Sequence, residues 1–216
     1  NAGAEIITVW NYALTKHRLG LSSLANRIKE MTHIAVEMAN EARERTGNSE
    51  VQIAGCLPPL RESYQTNEQE FSSMIEEYTE IANYLAPGVD LFLCETMSSA
   101  REAAAAAEAA SRFGKPVWVS WTLRDEADGL LRSGETLDDA LTAIDKIPVE
   151  AVLLNCCDIT AVGNAMVSLR TKTTRVIGGY ANAFTPISKD WKRDGQRFRE
   201  LRNLTPEDYA DQVLQW

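Results

Sequence analysis

The chain alternates between short apolar segments and longer amphipathic ones, and this alternation restricts its fold more than any other feature. Strand and helix segments that repeat six times indicate parallel strands joined by right-handed crossovers. Two α/β architectures satisfy that rule, an open doubly wound sheet and a closed eight-stranded barrel. The predicted strands are Glu5–Trp10, Val51–Cys56, Val89–Cys94, Val117–Trp121, Ala151–Asn155 and Arg175–Gly179, and the predicted helices are Leu24–Thr46, Glu68–Leu85, Ser98–Phe113, Thr136–Ile144, Ile159–Leu169 and Pro206–Trp216.

The barrel fits this pattern better than the doubly wound sheet. No Gly-x-Gly-x-x-Gly motif follows the first predicted strand, which weakens the dinucleotide-binding version of the open sheet. Strand–helix cycles of about 35 residues suit a (β/α)8 TIM barrel. Because six strands are visible, we expect one barrel domain over residues 1–216 that lacks its first and last strands.

Charge and hydropathy argue against two classes of partner. The net charge is −9, from 31 acidic and 22 basic residues, whereas nucleic-acid binding requires clustered Lys and Arg. The one basic stretch, Lys189–Arg202, is interspersed with acidic residues and favours a solvated surface. No apolar run approaches the ~20 residues that span a bilayer, and no signal peptide is visible. We expect a cytoplasmic protein that binds neither nucleic acid nor membrane.

The four cysteines are too few and too irregularly spaced for a disulfide scaffold, so we expect reduced thiols. Cys56, Cys94 and Cys156 each lie at or near the end of a predicted strand, where α/β proteins place their chemistry. Cys157 follows Cys156 directly. From position alone, a thiolate at Cys156 could be a metal ligand, a nucleophile or a redox partner.

Other polar side chains follow the predicted strands at the same edge of the sheet. Glu95 could bind an amino group, act as a base, ligate a metal, or simply cap the helix that follows it. Ser120 and Thr122 place hydroxyl groups at the end of the next strand. His17 lies in a segment expected to be solvated, and His33 lies within a predicted helix. No Ser-His-Asp arrangement is therefore expected.

The segment Gly178–Asn182 combines two glycines with polar side chains. The glycines would either let the backbone approach a ligand closely or ease a tight bend after the strand. Tyr180 and Asn182 are candidates for polar contacts with a ligand.

In their order along the chain, these motifs resemble the homocysteine S-methyltransferase family. The resemblance covers nearly the whole chain, which makes it more specific than any single motif. The matching segments are Ala2–Thr8, Tyr12–Leu14, Gly55–Pro59, Glu95–Thr96, Val117–Leu123, Leu131–Glu135, Asn155–Cys156 and Tyr180–Phe184.

The resemblance implies a (β/α)8 barrel that holds zinc through three cysteines. Cys156 matches the first of these ligands, and the other two belong to a Gly-Gly-Cys-Cys motif that would lie beyond Trp216. Cys157 is then a neighbour of the site and no substitute for that pair. With one ligand of the three in this sequence, we expect no zinc ion to be bound here.

The sequence departs from the family pattern in two places. Trp10 stands where the family usually has asparagine, so ligand contacts there differ. After Gly20 the family usually has a longer segment, and we expect the Gly20–Leu21 junction to be a gap, with Cα atoms well beyond the 3.8 Å of a trans peptide.

The family implies methyl transfer to the zinc-bound thiolate of homocysteine, giving methionine. The most suitable donor is a sulfonium, S-methylmethionine or S-adenosylmethionine. Glu95 would bind the substrate's ammonium group, with Thr96, Ser120, Thr122 and Asn182 completing the pocket. Trp10, Tyr12 or Trp121 could face a cationic donor through a cation–π contact.

Two other functions stay open. One is a non-catalytic barrel that binds a thiol or an amino acid, and the other is the homocysteine module of a cobalamin- or betaine-dependent methyltransferase. The sequence does not indicate an oligomeric state.

Overall fold

The computed structural model describes residues 3–20, 22–184 and 203–216 and contains one six-stranded sheet. The basic stretch Lys189–Arg202 and the Gly20–Leu21 junction, through Leu21, lie outside the described residues. The strands are β1 (Ile6–Thr8), β2 (Gln52–Leu57), β3 (Leu91–Met97), β4 (Val117–Trp121), β5 (Val149–Asp158) and β6 (Val176–Asn182). The helices are α1 (Lys16–Leu19), α2 (Ile28–Thr46), α3 (Phe71–Leu85), α4 (Ala100–Ser111), α5 (Leu137–Ala143), α6 (Ile159–Lys172) and α7 (Pro206–Val213).

The strand order distinguishes between the two architectures that the sequence allowed. The sheet runs β1-β2-β3-β4-β5-β6, and every neighbouring pair is parallel. A doubly wound sheet reverses its strand order at a switch point, and this sheet has no reversal. The six strands instead curl into a half-barrel, consistent with part of a TIM barrel. The prediction of an α/β fold with six parallel strands is confirmed.

Three strands, β3, β5 and β6, extend well beyond their predicted ends, and β6 ends at Asn182. β3 continues to Met97 and β5 to Asp158, so Glu95 and Cys156 lie inside strands and do not follow them. The extensions of β3 and β5 each contain an irregularity in strand pairing, between Cys94 and Met97 and between Asn155 and Asp158. Hydrophobic periodicity stops at such irregularities, which is why these two predicted strands were shorter.

Side-chain caps mark where several of the helices begin, whereas α2 and α3 begin without one. The Ser99 hydroxyl accepts a hydrogen bond from the main-chain amide of Glu102, the third residue of α4. Thr136 with Asp139 forms a capping box at α5, and Thr205 with Asp208 forms another at α7. No helix in the described residues is long and apolar enough to cross a membrane.

The main core lies between the sheet and its helices. The alanine run Ala103–Ala107 of α4 is buried, because its small side chains let the helix pack closely on its neighbours. Alternate residues of β3 point to opposite faces of the sheet. Phe92 belongs to the main core, whereas Leu91 and Leu93 form a second small cluster with Ala54 that includes no helix residue. Glu95 continues the row of Leu91 and Leu93 toward the carboxyl end of the strand.

The two glycines of β6 serve packing within the fold. A Cβ on Gly179 would lie 2.4 Å from the Leu154 carbonyl oxygen and 3.0 Å from Met166 Cε. A Cβ on Gly178 would lie 3.1 Å from Leu153 Cδ2, which is the end of a flexible side chain. The interpretation that these glycines allow close approach of a ligand therefore has no support from the structure.

Gly179→Ala is expected to lower the free energy of unfolding by about 1–3 kcal/mol, the usual cost of overpacking. The added methyl group would overlap a main-chain oxygen of β5, which cannot move without disturbing strand pairing. Gly178→Ala is the matched control and should cost less, because the Leu153 side chain can rotate away. Urea unfolding of both variants measures the difference, and equal losses would contradict this account.

Candidate active site

A cavity of about 340 Å³ lies at the carboxyl end of the sheet. This is the edge at which parallel α/β folds bind ligands. Residues from β1, β3, β5 and the connecting loops contribute to its wall: Thr8, Val9, Trp10, Tyr12, Ser63, Tyr64, Glu95, Thr96 and Cys156.

Left-handed backbone is concentrated around this cavity. Four non-glycine residues in the described chain have positive φ, and three of them line the cavity: Tyr64 at 69°, Thr96 at 61° and Cys156 at 56°. Thr96 and Cys156 lie at the pairing irregularities of β3 and β5, which we call the two bulges. A bulge redirects the side chains around it, and left-handed residues of this kind cost about 1–3 kcal/mol each. Such strain is typical of functional sites.

Asn155 connects four strands beneath the cavity. It is fully buried in β5, and its Oδ1 accepts from the Thr96 amide at 3.2 Å and the Ser120 hydroxyl at 2.5 Å. Its Nδ2 donates to Thr96 Oγ1 at 2.8 Å and to the Tyr180 hydroxyl at 2.9 Å. These four bonds use the full capacity of a side-chain amide. Asn155 therefore ties the bulge of β3 to β4, β5 and β6.

Glu95 and Cys156 share a neighbour, the hydroxyl group of Tyr180. This hydroxyl donates to Glu95 Oε1 at 2.7 Å and lies 3.3 Å from Cys156 Sγ. The carboxylate and the thiol, which both line the cavity, are thus linked through one hydroxyl group. The alternative that Glu95 caps the following helix is wrong, because Ser99 caps α4.

Burial keeps the tyrosine hydroxyls around the cavity protonated. The pKa of Tyr180 is raised above its ordinary value by burial of the hydroxyl, and further by the negative charge that Cys156 and Glu95 can carry. Burial likewise raises the pKa of Tyr12, whose hydroxyl lies 2.9 Å from Ser63 Oγ. Both groups are therefore hydrogen-bond donors near neutral pH.

Arginines cover two of the aromatic rings in the wall. Arg18 lies 5.3 Å from the centre of the Tyr12 ring, and Arg132 lies 5.1 Å from the centre of the Tyr64 ring. The Trp10 ring, by contrast, is 88% exposed at the edge of the cavity. Trp121 is fully buried in the core and cannot face a ligand.

The structure places the predicted site residues in two groups. Ser120 and Thr122 are buried behind the cavity, where Ser120 bonds Asn155 and the Thr122 hydroxyl donates to the Cys156 carbonyl at 3.4 Å. Asn182 pairs with Asp158 at the end of β6 and does not line the cavity. The predicted site residues that do line the cavity are Trp10, Tyr12, Glu95, Thr96 and Cys156.

Four residues of the wall, Thr8, Val9, Ser63 and Tyr64, were not predicted as site residues. Thr8 and Val9 lie at the end of β1, and Ser63 and Tyr64 lie in the segment between β2 and α3, a few residues after Pro58-Pro59. No local pattern in the segment between β2 and α3 marks which side chains face a ligand.

Cys156 fits one position of a thiolate metal site, since its half-buried side chain lines the cavity. No group of three or more His, Cys, Asp or Glu side chains in residues 3–20, 22–184 and 203–216 is arranged to hold a metal ion. Cys157 points into the core, and burial raises its pKa to about 12. The described residues therefore supply one ligand and do not complete a zinc site.

Solved structures of a bacterial enzyme share this fold. The metallated form of the homocysteine methyltransferase MmuM from Escherichia coli is 25% identical to this chain, with a TM-score of 0.76. That alignment covers 84% of this chain and 68% of the other. The apo form of MmuM is also 25% identical, covers 84% and 67% of the two chains, and has a TM-score of 0.68.

Sequence comparisons point to the same group of proteins. A methionine synthase from Mycobacterium tuberculosis (strain ATCC 25618 / H37Rv) is 25% identical over 162 residues, which is 72% of this chain. The match covers only 14% of that relative's length. A family model described as homocysteine S-methyltransferase matches residues 1–216, the whole chain. The chain therefore belongs to the homocysteine S-methyltransferase family.

Proposed function

We propose that the protein containing this chain transfers a methyl group from a sulfonium donor, S-methylmethionine or S-adenosylmethionine, to homocysteine. The C–S bond of the donor breaks, a methyl–sulfur bond forms on homocysteine after its thiol has lost a proton, and the donor leaves as a neutral thioether. The observation that carries this proposal is the juxtaposition of Glu95 and Cys156 around Tyr180, in a chain of this family.

In this proposal Glu95 binds the ammonium group of homocysteine. Its two oxygens already accept from Tyr180 and Cys56, and a carboxylate can accept about four hydrogen bonds, so acceptor sites remain for the substrate. Thr96, in the wall beside it, contributes a second polar contact. Ser120 and Thr122 act indirectly, by holding Asn155 and the main chain of Cys156. Asn182 does not line the cavity, so its buried Nδ2, which has no hydrogen-bond partner among the described residues, is not one of the proposed substrate contacts.

Cys156 would supply one ligand of a zinc ion. Zinc bound there would keep the thiol of the substrate deprotonated near neutral pH. The remaining ligands would come from residues outside the described chain, as the resemblance to the family implies for a segment beyond Trp216. We propose further that the half-barrel is part of a single (β/α)8 domain in a cytoplasmic protein.

Trp10 would contact the methyl donor. Sulfonium donors are cations, and the face of an indole ring attracts a desolvated cation. Tyr12 and Tyr64 already have arginines against their rings, whereas Trp10 is open to the cavity.

The similarity to a methionine synthase favours a second candidate, in which this chain is the homocysteine-binding part of a longer cobalamin- or betaine-dependent methyltransferase. The site would bind homocysteine in the same way, and the methyl donor would differ. Assays with S-methylmethionine, S-adenosylmethionine, betaine and methylcobalamin separate the candidates. Methionine formation from none of these would overturn methyl transfer and leave a non-catalytic binding barrel.

Glu95→Gln is expected to raise the KM for homocysteine about 10- to 100-fold, because a hydrogen bond to a charged group contributes roughly 1.5–3 kcal/mol. The KM for the methyl donor should change little. Steady-state methionine formation at varied homocysteine measures the effect. Glu108→Gln is the matched control, since the Glu108 side chain is partly exposed on α4 and, within the part of the chain that the structure describes, pairs with Arg112. An unchanged KM in Glu95→Gln would remove Glu95 from the binding site.

A further inference from the structure

Cys56 approaches Glu95 from the neighbouring strand. It is fully buried in β2, and its Sγ donates to Glu95 Oε2 at 3.1 Å. Its main chain is fixed as well, because Asn11 Nδ2 donates to the Cys56 carbonyl at 2.8 Å. Cys56 itself does not line the cavity. The proposed reaction assigns no role to this buried thiol, although it donates a hydrogen bond to a carboxylate in the cavity wall.

We infer that Cys56 is a positioning residue for Glu95, and that it sets the selectivity of the site for thiols carrying an α-amino group. This inference rests on the proposed role of Glu95 in binding the substrate's ammonium group. Cys56 does not touch the substrate and acts only through the carboxylate.

The carboxylate is held from both sides. Tyr180 on β6 donates to Oε1, and Cys56 on β2 donates to Oε2. Two fixed donors define the plane of the carboxylate, so its remaining acceptor sites face a constant direction. A substrate ammonium that meets a preoriented carboxylate does not have to order it on binding.

Cys56 stays a donor throughout the neutral pH range. Burial raises the pKa of its thiol well above the ordinary value, and the negative charge of Glu95 raises it further. A thiolate beside Glu95 would repel the carboxylate, whereas the thiol donates to it. The contact is therefore a stable feature of the site.

Replacing Cys56 tests the orientation of the Glu95 carboxylate more selectively than replacing Tyr180 would. Tyr180 also contacts Cys156 and Asn155, so its replacement would disturb the thiol and the network below the cavity. The Cys56 side chain donates to Glu95 alone. Cys94, one strand over in β3, is an equally buried cysteine that belongs to the main core, and Cys94→Ala is therefore the matched control.

We expect Cys56→Ala to raise the KM for homocysteine about 3- to 10-fold, less than Glu95→Gln does, because the carboxylate stays in place and loses only one of its two orienting donors. Neither kcat nor the KM for the sulfonium donor should move. Cys56→Ser restores a hydroxyl donor and should recover a KM within about twofold of the original protein. Cys94→Ala should leave the KM unchanged. These are measured with the full protein by steady-state methionine formation.

The selectivity test uses 4-mercaptobutanoate, which is homocysteine without its amino group. Binding of both thiols is measured by titration calorimetry, which needs no turnover. Cys56→Ala should weaken homocysteine binding and leave 4-mercaptobutanoate binding unchanged. Equal effects on both thiols, no effect on either, or failure of Cys56→Ser to rescue would overturn the inference.

The two proposals can fail separately. If the original protein forms no methionine from any donor, the proposed methyl transfer is wrong, and the calorimetric comparison still tests Cys56. If the original protein binds homocysteine no better than 4-mercaptobutanoate, Glu95 does not recognise the amino group and the inference about Cys56 is wrong.

Discussion

Cys156→Ala is expected to remove bound zinc from the full protein and to lower methionine formation by at least about 100-fold. Partners that merely orient a metal ligand change affinity or activity by about 10- to 100-fold, and loss of the ligand itself should exceed that. Alanine leaves no donor in β5 that reaches the cavity. Elemental analysis of zinc per chain, alongside a methionine assay, measures both effects on the same sample.

Cys157→Ala is the matched control for this experiment. Its side chain is fully buried in the core and does not line the cavity, so it does not reach a metal ion held at Cys156. We expect zinc content and activity close to those of the original protein, with some loss of stability from the missing sulfur. Zinc retained in Cys156→Ala, or lost only in Cys157→Ala, would contradict the assignment of Cys156.

Asn155→Ala is expected to lower the free energy of unfolding by about 3 kcal/mol and to reduce activity with it. The change removes four hydrogen bonds and leaves the Thr96 amide and the Ser120 hydroxyl buried without their acceptor. An unsatisfied buried polar group costs about 1–3 kcal/mol. Urea unfolding monitored by circular dichroism measures the loss.

Two further variants show whether the loss of unfolding free energy in Asn155→Ala comes from its hydrogen bonds. Asn155→Asp keeps the acceptor for Thr96 and Ser120 but introduces a buried charge, so we expect it to unfold at lower urea than the original protein. Asn48→Ala removes an asparagine whose side chain only accepts from the Glu50 amide in an exposed loop, and it should cost no more than about 0.5 kcal/mol. If Asn155→Ala costs as little as Asn48→Ala, the network does not stabilise the site.

Much of the fold could be predicted because it follows from the local pattern of apolar and polar residues. The apolar segments predict all six strands, and consecutive parallel strands follow from the helices between them. The ends of β3 and β5 could not be predicted, because each bulge depends on pairing with a neighbouring strand. Short helical turns were also missed, including α1, which begins at the Thr15 cap.

The candidate site divides in the same way. Glu95 and Cys156 were identifiable because each lies where an apolar run meets polar residues at the carboxyl end of a strand. The network of Asn155 was not identifiable, since it joins residues up to 59 positions apart that meet only after the sheet forms. Cys56 was recognised only as a cysteine near the end of a strand, because its contact with Glu95 depends on the register of β2 beside β3.

The two bulges have a consequence for how such a site can change during evolution. At Thr96 and Cys156 the left-handed main chain sets the direction of the Cα–Cβ bond, and this direction is the same for any side chain at that position. A new functional group introduced at position 156 would enter the same cavity without rebuilding the sheet. The main chain of the two bulges can therefore present different side chains to one cavity, and packing of the surrounding core offsets the cost of its left-handed conformation.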